Sequence, residues 1–250
     1  MPTLSSIHVY PLKSASGIAP DAADVERRGL AGDRRWMLVD GDGTFLSQRS
    51  HPRLALIGVT ATAEGLRLTA PARPPLDVPR PDAAAPAQMQ RVTVWGDDVD
   101  AVAAADAAHA WCSAFLETDV RLVYMPESSR RAVDADYAVQ NDDVVSFADG
   151  YPLLLTTTAS LADLNDRLDA PLPMDRFRPN VVIGGTDAWA EDAWRRLRIG
   201  EVTFQSVKPC SRCAVTTTDQ QTAARGAEPL TTLAAFRRDA DAGKVYFGWN

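Results

Sequence analysis

The residues best equipped for chemistry are the two cysteines of Lys208-Pro209-Cys210-Ser211-Arg212-Cys213. Three chemistries use a C-x-x-C pair. A redox couple places its first cysteine at a helix N-terminus, where the dipole lowers the thiol pKa; the following Ala-Val-Thr-Thr-Thr is a poor helix start. Structural zinc needs four ligands, and the remaining cysteine does form an H-x-x-C with His109 and Cys112, but inside an Ala-rich apolar stretch. The third is a single thiolate ligand to a soft-binding metal, with Lys208 and Arg212 alongside to favour the anion. On residue types alone these three, and a pair of inert thiols at a hairpin end, all stay open.

Three other segments put cations at loop or strand boundaries. Lys13-Ser14-Ala15-Ser16-Gly17 offers an ammonium and two hydroxyls on flexible backbone, Gly32-Asp33-Arg34-Arg35 leads into an apolar strand, and Phe177-Arg178-Pro179-Asn180 precedes another. A guanidinium held by proline and followed by Asn suits a phosphate or a heterocycle edge, since Arg binds oxyanions in a bidentate way and Asn both donates and accepts. None is a Walker A loop or a G-x-G-x-x-G, so ordinary nucleotide binding has no support. Asp149 sits at a Gly-Tyr-Pro turn, where a simple Asx turn accounts for it.

These segments need strands to hold them. Ile7 and Val9 alternate with polar neighbours up to Pro11. Trp36–Asp40 and Thr44–Gln48 flank the turn Gly41-Asp42-Gly43, and Leu56–Thr62 and Leu66–Thr69 flank Glu64-Gly65, two hairpin patterns. Residues 71–90, rich in Pro and Ala, suit a long loop. A short strand at Val92–Trp95 precedes an Ala-rich helix over Val102–Leu116, and 126–143 is polar and loop-like. Leu153–Thr156 reads as a buried strand, and Ser160 as the cap of a helix whose Leu161, Leu164 and Leu168 share a face. Val181–Ile183, the hairpin Leu197–Ile199/Val202–Val207, Ala214–Thr218 and Val245–Phe247 are further strands, and Leu230–Phe236 is helical. Strands outnumber helices without regular alternation, which favours β-barrels with packed helices over a doubly wound sheet.

The 250 residues suffice for one large or two small domains. With 46% hydrophobic and 24% charged residues the composition is globular. The 26 Lys and Arg against 33 Asp and Glu leave a net charge of −7, which speaks against non-specific nucleic-acid binding and requires any anion site to be a local cationic cluster. No leader pattern and no run of ~20 apolar residues is present, so no membrane association is expected. Three cysteines in a chain this long fit a reducing compartment, and a cytoplasmic location is the expectation.

Taken in order, Tyr10-Pro11-Leu12-Lys13-Ser14, Gly32-Asp33-Arg34-Arg35-Trp36, Ser160–Asn165, Phe177-Arg178-Pro179-Asn180 and Cys210–Asp219 resemble the MOSC-domain proteins, in the branch of the amidoxime-reducing component and its bacterial relatives. The resemblance implies a mainly β (α+β) chain, with an N-terminal MOSC β-barrel module over residues 1–125 and a MOSC β-barrel domain over 126–250. It implies a molybdenum cofactor, with Cys213, the second cysteine of C-x-R-C, as metal ligand. Lys13, Ser14, Arg34, Arg178 and Asn180 become phosphate and pterin contacts, Ser211 and Arg212 flank the ligand, and Asp149 matches an acidic position near the metal. The implied reaction reduces N-hydroxylated small molecules to amines. Electrons are expected from a separate ferredoxin-like or cytochrome b5-like protein, since no four-cysteine cluster domain accompanies the chain. A carrier or sulfur-transfer role is the alternative. The family barrel usually continues past Phe247-Gly248, so a different closure is expected near Asn250.

Overall fold

The computed structural model describes residues 1–82 and 88–250. Among them the strands are β1 (Thr3–Ile7), β2 (Val25–Glu26), β3 (Gly29–Leu30), β4 (Trp36–Val39), β5 (Gly58–Ala61), β6 (Gly65–Ala70), β7 (Arg73–Pro79), β8 (Met89–Val94), β9 (Asp97–Ala103), β10 (Arg121–Tyr124), β11 (Leu155–Thr157), β12 (Val181–Gly184), β13 (Arg196–Ile199), β14 (Val202–Gln205), β15 (Pro209–Ser211) and β16 (Tyr246–Trp249). The α-helices are α1 (Asp106–Leu116), α2 (Thr158–Asn165) and α3 (Leu230–Phe236). The chain is thus mainly β with a few packed helices, as the sequence pattern indicates.

Three sheets carry the architecture: β1-β12-β11-β16-β15, β4-β10-β9-β8 and β5-β6-β7. The first takes β1 from the start of the chain and pairs it antiparallel with β12, Ile7 opposite Val181. The second and third sheets close around α1, whose Trp111, Cys112, Phe115 and Leu116 pack with Leu38, Leu54, Leu68 and Leu122 in the largest apolar core. A separate core joins Leu164 of α2 to Phe177, Leu233 and Phe247, with Leu161 and Leu168 packed against it. The five-stranded sheet is completed by β16 and β15, Pro209 lying opposite Trp249.

Several local expectations are corrected. Residues 71–90 are not one loop: β7 pairs with β6, and β8 begins at Met89, with 83–87 outside the described residues. Pro74, Pro75 and Pro79 are tolerated because β7 is an edge strand, where a missing N–H need not serve a second neighbour. The helix expected from Val102 starts at Asp106, since Val99, Ala101 and Val102 are buried in β9. Thr44–Gln48 makes only isolated bridges, Val39 to Phe45 and Thr44 to Thr93. The cap of α2 is Thr157, which accepts from Ser160 N at 3.0 Å, so Ser160 lies within the first turn. Ala214–Thr217 is a 3₁₀ turn rather than a strand, because the hydroxyls of Thr216 and Thr217 bond back to Cys213 O and Ala214 O, both at 2.9 Å.

Candidate active site

Backbone pairing brings the first two cationic segments together. Lys13 N donates to Trp36 O at 2.8 Å, Trp36 N to Pro11 O at 3.0 Å and Arg34 N to Tyr10 O at 2.8 Å. Phe147 N then donates to Arg34 O at 3.0 Å, which draws in the segment carrying Asp149. Asn180 ties on the third: its N donates to Leu154 O at 2.8 Å and its Nδ2 to His8 O at 3.1 Å and Asp33 Oδ1 at 3.0 Å. Asp33, fully buried, also accepts from Arg34 Nη1 at 2.6 Å.

All nine residues singled out from the sequence, Lys13, Ser14, Arg34, Asp149, Arg178, Asn180, Ser211, Arg212 and Cys213, line one cleft of about 360 Å³. That volume falls in the range of small-molecule sites. Its described lining holds six cationic side chains, Lys13, Arg34, Arg49, Arg178, Lys208 and Arg212, against one side-chain carboxylate, Asp149. In a chain of net charge −7 this is a local inversion of sign. The backbone is strained here as well. Of the eight non-glycine residues with left-handed φ among those described, Ser14 (68°), Arg34 (46°), Trp95 (55°) and Arg178 (54°) all belong to this lining. Each conformation costs about 1 kcal/mol or more, and such strain gathers where function fixes the backbone.

Cys213 is half-buried at the cleft wall, where the chain leaves β15 and enters the 3₁₀ turn. The cation on its sulfur is Arg49, with Nη2 at 3.0 Å from Sγ. Arg49 also lies 3.6 Å from Asp149 Oδ2 and stacks over Trp95 at 4.4 Å. Sequence reasoning missed Arg49, and Ser47-Gln48-Arg49 carries no spacing that would have revealed it. The sequence places Arg212 and Lys208 beside the ligating thiol. Instead Arg212 Nη1 reaches Cys210 Sγ at 2.9 Å, and Lys208 turns onto the Tyr137 ring at 3.8 Å.

Asp149 does not make the simple Asx turn expected of it. Its Oδ1 accepts from Lys13 Nζ at 2.6 Å and from Trp95 Nε1 at 3.1 Å. Its side chain is 62% exposed at the cleft mouth; partial desolvation opposes its ionisation, but Lys13, Arg49 and the indole N–H outweigh that and hold the carboxyl well below the usual range. Lys13 is lowered, chiefly by desolvation, with Asp149 pulling the other way. Arg178 is pushed down to about 10, first by burial and further by Arg34, with Tyr10 and Asp33 in opposition. Tyr10 lies under both guanidinium groups, 4.5 Å from Arg34 and 4.2 Å from Arg178. Arg178 Nη2 and Arg212 Nε are buried at this wall without a partner among the described residues. Buried orphan donors are rare because each costs about 1–3 kcal/mol. Their chemistry asks for an anionic ligand with several acceptor atoms.

The zinc alternative has no geometry behind it. Cys112 is buried in the core with its thiol pushed up to about 12, and His109 Nε2 meets Leu122 O at 3.2 Å. Among the described residues no three His, Cys, Asp or Glu side chains are grouped to hold a metal, and no helix is long and apolar enough to cross a membrane. Cys210 lies in β15, not at a helix start, which removes the basis for a helix-activated redox pair.

Comparison with known proteins gives the same direction. Residues 1–119 match the MOSC N-terminal beta barrel domain and residues 142–250 the MOSC domain. The chain is 33% identical to mitochondrial amidoxime-reducing component 1 of Homo sapiens, over 98% of this chain and 75% of that protein. It is 35% identical to the Danio rerio component 1 over 94% and 74%, and 32% identical to the Bos taurus component 2 over 94% and 72%. The chain belongs to the MOSC family, in the two-part branch that contains the amidoxime-reducing components.

Proposed function

We propose that this protein is a molybdenum-cofactor-dependent reductase of N-hydroxylated compounds. The observation that carries the reading is the cationic cleft itself, in which residues from both ends of the chain converge on two half-buried thiols, Cys210 and Cys213. A phosphorylated organic cofactor fits the donor set: the orphaned Arg178 Nη2 and Arg212 Nε await acceptors, and Cys213 offers a soft sulfur to the metal. Lys13, Ser14, Arg34, Arg178, Asn180, Ser211 and Arg212 would hold the phosphate and pterin, and Cys213 would ligate molybdenum. When bound, the cofactor supplies a two-electron redox centre.

The overall change is R–NH–OH plus two electrons and two protons giving R–NH₂ and water. The protein orients substrate and manages protons. Asp149, held ionised by Lys13 and Arg49, acts as an acceptor that fixes the N–OH group rather than as an acid. The Lys13 ammonium, hydrogen-bonded to the same oxygen, keeps a proton beside the departing oxygen. Electrons arrive from a separate ferredoxin-like or cytochrome b5-like protein, and the cytoplasm, where free thiols stay reduced, is the proposed location. The proposed division is an N-terminal module over 1–125 and a MOSC domain over 126–250.

Molybdenum and pterin content of protein made in a cofactor-competent host tests this, together with hydroxylamine and amidoxime reduction driven by an artificial reductant. Wild type should carry near-stoichiometric molybdenum and turn over. Cys213→Ser should lose activity, and Cys210→Ser should be milder. The opposite pattern would show that the wrong thiol has been assigned, and full cofactor loading without turnover would indicate a carrier.

A further inference from the structure

A second cleft, of about 480 Å³, adjoins the first and shares Tyr151, Leu153 and Asn250 with it. It lies at the seam between the 133–153 segment and the β13–β14 hairpin. Its charges balance, Glu26 and Asp143 against Arg27 and Arg196, and Tyr137, Tyr151, Leu197, Phe204 and Trp249 supply apolar walls between them. These walls are fixed by their own contacts. Tyr137 meets Tyr151 edge-on at 5.9 Å, Lys208 Nζ packs against both rings, and Trp249 Nε1 donates to Asp192 Oδ1 at 2.9 Å. Nothing in the cofactor reading uses this space.

The two clefts are joined by a short stretch of chain. Asp149 and Tyr151 are two residues apart, at most about 7 Å along the backbone. Asp149 and Tyr151 both line the first cleft and Tyr151 also lines the second, so a molecule with its N–OH group at Asp149 has the Tyr151 wall beside it. The second cleft offers Leu197 and Phe204 to a longer apolar body.

We propose that this second cleft binds the non-reacting apolar body of the substrate, so that the preferred substrates are N-hydroxylated compounds carrying an extended alkyl or aromatic group. The inference rests on the reductase reading above, and the two can fail separately. Burial of apolar length is worth about fourfold in affinity per methylene. The probes are a homologous series of n-alkyl amidoximes as substrates and the matching n-alkyl amidines, which cannot be reduced, as ligands of cofactor-free protein followed by calorimetry.

Amidine Kd should fall about fourfold per added methylene until the cleft is filled. Phe204→Ala, which removes a wall, and Val202→Trp, which fills the space from the half-buried face of the hairpin, should each flatten that slope. Both should also lower the kcat/KM ratio of the long amidoximes to the shortest by at least about tenfold. If the loaded wild type reduces none of the series, the reductase reading fails, and the amidine slope decides the cleft alone. A slope absent in wild type, or unchanged in both folded variants, overturns the proposal while leaving the reductase reading intact. An unchanged slope accompanied by an altered solution mass, or an altered KM for the reducing protein, makes the cleft a protein interface and overturns it equally.

Discussion

Asp149 and Arg49 show how opposed effects are settled at the scale of one side chain. The cleft mouth desolvates Asp149 only in part, and Lys13, Arg49 and Trp95 leave its folded pKa below the unfolded carboxylate value of about 3.9. A depressed carboxyl contributes stability above the unfolded pKa and loses it as pH falls toward the folded one. Asp149→Asn should therefore lower the urea midpoint at pH 7, and the two proteins should converge as pH drops below about 4. A constant gap across that range would mean the ion pairs do not matter. Arg49 holds a sulfur, a carboxylate and an indole face together, which a flexible ammonium cannot do. Arg49→Lys should lower kcat/KM nearly as much as Arg49→Gln, by at least about tenfold, with melting temperature little changed. Rescue by Lys would reduce Arg49 to a point charge. The nine sequence-derived residues are legible only together: each short segment is weak alone, and it is the segments in order along the chain that resemble the family. Arg49 is not legible, because only the irregular run after Leu46 turns it toward residue 213, where Arg225 grips Gln48 O and, at 2.7 Å, Arg49 O.

At the scale of elements, periodicity located most strands and helices but misjudged those where local chemistry competes. Prolines in β7 hid an edge strand, alanines blurred the boundary between β9 and α1, and threonine hydroxyls turned a β-branched run into a 3₁₀ turn. The start of α2 is a fourth case, and it carries a prediction. Thr157 caps the helix, and Glu191, 1% exposed, accepts from Ser160 Oγ at 2.9 Å and Thr157 Oγ1 at 3.2 Å. Burial raises the Glu191 pKa, outweighing those two hydroxyls. A carboxyl with a raised folded pKa binds its proton more tightly in the folded state, so stability declines as pH climbs past the unfolded value of about 4.3. Glu191→Gln keeps the acceptor oxygen and removes the ionisation. It should equal or exceed wild type in urea midpoint at pH 7, with the difference closing near pH 4. A large loss at pH 7 would show that the charge itself stabilises the helix start.

Across the whole molecule, the cofactor cleft and the fold depend on the same polar seam. β1, from the first residues, completes a sheet otherwise built from residues after 150. Arg178 Nη1 donates to Ala15 O at 2.6 Å, Gln48 pairs with Gln220, and Asn180 is held by His8 and Asp33. Two similarity regions in sequence therefore need not be two independent folding units. Cutting between 125 and 126 would strip buried groups such as Arg178 Nη1 and Asn180 Nδ2 of their partners Ala15 O, His8 O and Asp33, at about 1–3 kcal/mol each. Against a typical margin of 5–15 kcal/mol that loss is severe. The fragment 126–250 alone should unfold at much lower urea than the full chain, with a broad transition followed by circular dichroism, and mixing it with 1–125 should restore a sharp one. A sharp, unshifted transition for the isolated fragment would show that the seam serves the cleft alone and the fold stands without it.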